Sequence, residues 1–96
     1  MRAHWPHDGA RAALRAALVA SCPQVVVEDV RAGLRARFGA LRCLVLVGPG
    51  IYRWLLGLQQ SPVYRGPRAA ARCGRDVVAA LQRASATARV PTATEV

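Results

Sequence analysis

Val26, Val30, Leu34 and Phe38 recur every four residues, with Leu41 three further on, while Glu28, Asp29, Arg31, Arg35 and Arg37 fall between them. Apolar residues at that spacing line one face of an α-helix, and this is the strongest such pattern in the chain. Ser21 and Gln24 have capping-box spacing at its start, and Pro23 is tolerated in a first turn. The acids come first and the arginines later, the order a helix dipole favours, and Gly39 suits the stop. The competing reading takes residues 24–28 as a strand, because three consecutive valines favour one.

The remaining pattern extends the helical expectation. Asp8 is placed to N-cap a helix over Gly9–Ala20, in which Leu14 and Leu18 share one face and Arg11 and Arg15 another. Residues 41–47 form a short apolar run whose type periodicity leaves open. Gly48-Pro49-Gly50 is a firm break. Ile51, Leu55 and Leu58, with Trp54 beside them, predict a short helix to about Gln60. A loop with two prolines follows. Pro67 then opens a last helix to about Ala84, with Ala70, Cys73, Val77, Leu81 and Ala84 as its apolar stripe. Arg72 and Asp76 form an i,i+4 pair there, and Gly74 weakens that helix by about 1 kcal/mol against alanine. The expectation is therefore a mainly α domain of three or four helices over residues 9–84, with a flexible N-terminus at 1–8 and a mobile C-terminal tail at 85–96. The alternative is α+β, with short strands near 24–28 and 41–47.

A chain of 96 residues allows one domain. Of its 53% hydrophobic residues, 19 are alanine, so the core is thin and stable folding leans on a partner or oligomer. There are 14 arginines but no lysine and no asparagine, the signature of a GC-rich coding sequence. The net charge is +9, and no acid lies between Val30 and Arg75. That stretch holds Arg31, Arg35, Arg37, Arg42, Arg53, Arg65, Arg68, Arg72 and Arg75. Such a field attracts nucleic acid, an acidic protein or an anionic membrane surface. Tyr52, Trp54 and Tyr64 are interleaved with the arginines, where they could stack on unpaired bases; for Trp54 and Phe38 a place in the core is the stronger expectation.

No catalytic, cofactor or metal site emerges. Cys22, Cys43 and Cys73 are odd in number and lack Cys-x-x-Cys spacing, which points to reduced, buried thiols. His4 and His7 flank Pro6, with no second ligand cluster to complete a zinc site. Neither a nucleophile–base constellation nor a carboxylate pair stands out, and Gly48-Pro49-Gly50 lacks the spacing of a phosphate loop. The expectation is a protein that is not an enzyme.

Addressing signals are faint. The first 22 residues are arginine-bearing and alanine-rich, and resemble a mitochondrial transit peptide, although two histidines and Pro6 fit it poorly. Val19-Ala20-Ser21-Cys22 fits the short motif before a bacterial lipid-modified cysteine, but Arg11 and Arg15 interrupt the apolar region that such a motif, or a secretory signal, requires. An intracellular location is therefore expected over a secreted one. Residues 41–58 are the most hydrophobic window, yet Arg42, Pro49 and Arg53 exclude a membrane-spanning helix. Tyr52, Arg53 and Trp54 would suit a peripheral contact. The closing Thr94-Glu95-Val96 resembles the ligands of PDZ domains, with Val96 in the apolar pocket and Thr94 bonding through its hydroxyl. The leading expectation is a small basic interaction or regulatory protein that binds an acidic partner or nucleic acid through its arginines. A peripheral membrane or mitochondrial microprotein, a PDZ-recruiting adaptor and an alternative-frame product without evolved activity are the alternatives.

Overall fold

The computed structural model describes residues 5–94, with side chains as far as residue 87. Helix α1 (Asp8–Ser21) leads into strands β1 (Val26–Val30), β2 (Gly33–Phe38), β3 (Leu41–Gly48), β4 (Ile51–Leu56) and β5 (Gln59–Gln60), and helix α2 (Ala69–Thr94) closes the fold. The strands form one antiparallel sheet in sequence order. The chain is thus α+β, and the expected mainly helical domain of three or four helices is corrected.

The correction has a physical cause. A spacing of four is two strand repeats and close to the helical turn of about 3.6 residues, so Val26, Val30, Leu34 and Phe38 are compatible with either geometry. Glycines decide between them. Gly39 (φ 63°) and Gly57 (φ 60°) each take the first position of a two-residue turn, and Gly50 (φ 68°) follows Pro49 in another. Left-handed backbone at such positions folds a chain into hairpins. The Gly57 turn therefore cuts the helix expected over 51–60, and the Gly39 turn folds the end of the 24–38 segment back onto β3, while the break inside that segment falls at Arg31-Ala32. The α+β alternative had strands near 24–28 and 41–47, close to β1 and β3.

The first hairpin is built differently. Arg31 and Ala32 join β1 to β2 between the paired Val30 and Gly33, and neither has a positive φ. Two-residue hairpins without a left-handed residue match strand twist poorly. Here Arg11 of α1 supplies the missing support. It is only 3% exposed. Its Nη1 donates to the carbonyl of Val30 (3.1 Å) and to that of Gly33, and its Nη2 donates to the carbonyl of Arg31 (3.2 Å). Nη1 also reaches Asp29 Oδ1 at 3.2 Å, and Nε donates to the Pro6 carbonyl at 2.6 Å. Trp5 lies over the guanidinium at 5.1 Å. Gly33 is obligatory at this junction, since a Cβ there would lie 2.0 Å from the Val45 carbonyl oxygen.

Both helices pack on one face of the sheet. Leu34, Ala36, Cys43, Val45, Val47, Tyr52 and Trp54 rise from the strands to meet Leu14 and Leu18 of α1 and Cys73, Val77, Val78 and Leu81 of α2. Each fully buried leucine contributes about 1.5–3 kcal/mol. The helices cross closely because Gly74 lies against Ala17, where an added Cβ would be 2.8 Å from the alanine methyl. His7, not Asp8, occupies the N-cap of α1, in a left-handed conformation, and Asp8 falls in the first turn, where a carboxylate suits the dipole. Helix α2 runs on to Thr94, past the stop expected at Ala84.

Candidate functional site

The two faces of the sheet are unlike. Side chains alternate along each strand, so residues flanking the core positions emerge on the side that neither helix covers. Cross-strand register arranges them in rows. Val26, Arg37 and Arg42 form one; Glu28, Arg35, Leu44, Leu55 and Gln60 form the next; Val30, Leu46 and Arg53 lie beyond, followed by Ile51. An antiparallel sheet with one solvated face normally shows polar residues there. This sheet instead carries Leu44, Leu46 and Leu55, each half-buried, together with Ile51 at 36% and Val26 at 50% exposure. The apolar residues concentrate on β3 and β4, and charge concentrates on β2.

The electrostatics of this open face are lopsided. Among the described residues it holds four arginines and one carboxylate, Glu28. Arg35 Nη1 donates to Glu28 Oε1 at 3.2 Å, and Arg37 Nε lies 3.7 Å from the same oxygen. Both pairs are partly exposed, so each contributes about 0–1 kcal/mol. Among the described residues Arg42 and Arg53 have no carboxylate partner. The Nε groups of Arg37 and Arg53 are buried and make no hydrogen bond. The face therefore presents unneutralised positive charge beside uncovered leucine.

The nine arginines of the basic stretch do not form one surface. Arg35, Arg37, Arg42 and Arg53 are on the open face, while Arg31 is exposed at the first hairpin turn. Arg65, Arg68, Arg72 and Arg75 sit on the loop before α2 and its first two turns, in the helical layer. Arg72 lies over the Tyr64 ring at 5.7 Å and donates to the Arg65 carbonyl at 3.3 Å. With Asp76 and Arg75 it borders a shallow cleft of about 340 Å³ beside Pro62 and Val63.

Tyr52, Trp54 and Tyr64 are placed in the interior. Tyr52 bridges back to Tyr64 through paired backbone hydrogen bonds and donates its hydroxyl to the Ala10 carbonyl at 2.9 Å. Trp54 Nε1 donates to the Tyr64 hydroxyl at 3.0 Å, which donates to Asp76 Oδ2 at 2.7 Å. This chain ties β4 to α2. Burial pushes the Tyr64 phenol up to about 12, and the hydrogen bond to Asp76 adds to the effect. Among the described residues no aromatic side chain projects from the open face.

All three cysteines are free and buried. Desolvation pushes Cys43 and Cys73 up to about 12. Among the described residues no three His, Cys, Asp or Glu side chains converge as metal ligands. His7 occupies the N-cap position of α1 without a capping side-chain hydrogen bond, and His4 lies outside the described residues. The segment resembling a transit peptide contains α1, whose Leu14 and Leu18 are core. Residues 41–58 are the β3–β4 hairpin and its following turn, and no described helix is long and apolar enough to cross a membrane. Thr94 ends α2, and Val96 lies outside the described residues.

No family model, curated protein or solved structure matches the chain. Sequence reasoning missed Leu44, Leu46, Ile51 and Leu55 as surface residues, and Arg11 as an organising one. The signal for the leucines was available: residues 43–47 are apolar without alternation, as in strands covered on both sides.

Proposed function

We propose that the chain is a non-enzymatic binding protein whose open sheet face docks onto an acidic protein. The observation that carries this reading is the placement of Leu44, Leu46 and Leu55 on the side no helix covers, with Arg42 and Arg53 beside them. Protein interfaces combine an apolar centre with arginine, and an exposed aliphatic patch on a small domain marks such a site. Nucleic acid is the weaker occupant. Single strands are held by aromatic platforms, whereas Tyr52, Trp54 and Tyr64 are turned inward and the open face is aliphatic. A second copy docked face to face would set arginine against arginine.

The test is a titration of nitrogen-15-labelled protein with a synthetic polypeptide of glutamate and leucine, and separately with single-stranded RNA. Amides of β3 and β4 shift with the polypeptide, and affinity falls as salt rises. Tighter binding of RNA on the same strands, or no response to the polypeptide, overturns the proposal.

A further inference from the structure

We infer, resting on the docking face just proposed, that the partner element filling it is an acidic amphipathic α-helix of two to three turns laid along β3 and β4. Three observations converge on that shape.

The first is the state of the sheet edges. A partner strand could add only at a free edge, and both edges are short or guarded: beyond β4 the edge is the two-residue β5 and the segment after it, and β1 is held by Arg15. Beside β4, Ser61 N donates to the Trp54 carbonyl at 2.9 Å and Tyr64 pairs with Tyr52. Beside β1, Arg15 Nη1 donates to the outward Val27 carbonyl at 3.2 Å, and its Nη2 holds Asp29 at 2.9 Å. Guarding of this kind is how sheets avoid strand addition, and it leaves the face as the docking surface.

The second is the width of the apolar zone. Leu44, Leu46, Ile51 and Leu55 span two neighbouring strands, and beyond β3 the surface turns to Arg35 and Arg37 on β2. Strands about 4.8 Å apart give a strip that one helix, about 10–12 Å across, covers. A second sheet would need apolar residues across all the strands. The strip's length also fits. Ile51 to Leu55 is four strand steps, about 14 Å at roughly 3.4 Å each, which corresponds to about nine helical residues.

The third is the direction of charge. Arg35 and Arg37 lie to one side of the strip, Arg42 lies at its end on β3, and Arg53 lies within it beside Leu46. A helix with leucines at i, i+3, i+4 and i+7 and glutamates along one flank meets both features. With helices already on the inner face, the complex would be a sheet between two helical layers, an arrangement that buries both apolar faces.

The experiment compares three synthetic 14-residue peptides against nitrogen-15-labelled protein. One carries the leucine stripe and flanking glutamates, the second has two central residues replaced by proline, and the third has lysine for every glutamate. The first is expected to shift β3 and β4 amides, gain helical circular dichroism on binding, and bind at least tenfold more tightly than the others. Equal binding of the first two without gained helicity would overturn the helix while leaving the docking face standing. Tighter binding of the lysine peptide, or no open-face response to either acidic peptide, would overturn both. A response there to phosphatidylserine vesicles instead of peptide would also overturn both and make the face a membrane contact.

Discussion

Replacing Arg11 with methionine should come close to unfolding the protein, although the residue lies outside the proposed docking face. The residue is 3% exposed, and its guanidinium touches five oxygens: four main-chain carbonyls and the Asp29 carboxylate. Methionine preserves the apolar stem but leaves the Val30, Arg31 and Gly33 carbonyls without that donor. It also leaves Asp29, 30% exposed, with Arg15 alone. Leaving a buried acceptor without its donor costs about 1–3 kcal/mol, so losing this set of bonds costs about 3–5 kcal/mol in all. Small domains are stable by only about 5–15 kcal/mol, so the loss is a large fraction of the total. Arg11→Lys should recover little, because a single ammonium cannot span three carbonyls as a planar fork does. Urea unfolding followed by circular dichroism reads the change as a shift in midpoint. Arg35→Met serves as the control, expected within about 1 kcal/mol of wild type, since its pair with Glu28 is exposed. An Arg11→Met protein within about 1 kcal/mol of wild type would refute the claim that α1 holds the first hairpin together.

Gly74→Val should cost about 1–3 kcal/mol by forcing α1 and α2 apart at Ala17. Gly9→Ala, which meets nothing within 4 Å in α1, should stabilise by about 0.4–1 kcal/mol; thermal melts of both variants compare the two directions. Cys43 and Cys73 should resist iodoacetamide at pH 8 in the native protein and react promptly in urea, which mass spectrometry counts. Their folded-state values, about 12, lie above the ordinary 9.0. The native state therefore keeps protons that the unfolded chain releases, so their stabilising contribution is complete below pH 9 and declines as pH rises toward 12. Tyr64 acts in the same direction from its ordinary 10.0. Urea midpoints should accordingly fall between pH 8 and pH 11, and a constant midpoint would contradict the burial of these groups.

The terminal helices were legible because nothing competed with their period: Leu14 and Leu18 repeat on α1, and Cys73, Val77 and Leu81 on α2. The central region was misread because four-residue spacing fits two geometries. Phe38 and Leu34 face the helices, while Val26 and Val30 lie on the open side; a helix would have joined all four in one stripe. Gly39-Ala40, Pro49-Gly50 and Gly57-Leu58 recur at hairpin intervals, and that recurrence was the better guide. The basic stretch was visible as charge, but its division between the sheet face and α2 depends on fold. Charge alone could not single out Arg11, since its partners are carbonyls brought to it by the first hairpin.

The docking face is tested most directly by the affinity of the glutamate–leucine polypeptide for a Leu44→Thr, Leu46→Thr double variant. Threonine keeps strand preference and removes apolar surface only from the open side. Binding should weaken at least tenfold, about 1.4 kcal/mol, with the amide spectrum still dispersed. Unchanged affinity in a folded double variant, with binding lost instead on Arg68→Ala and Arg72→Ala, would place the binding surface at the start of α2 and the loop before it and contradict the proposal.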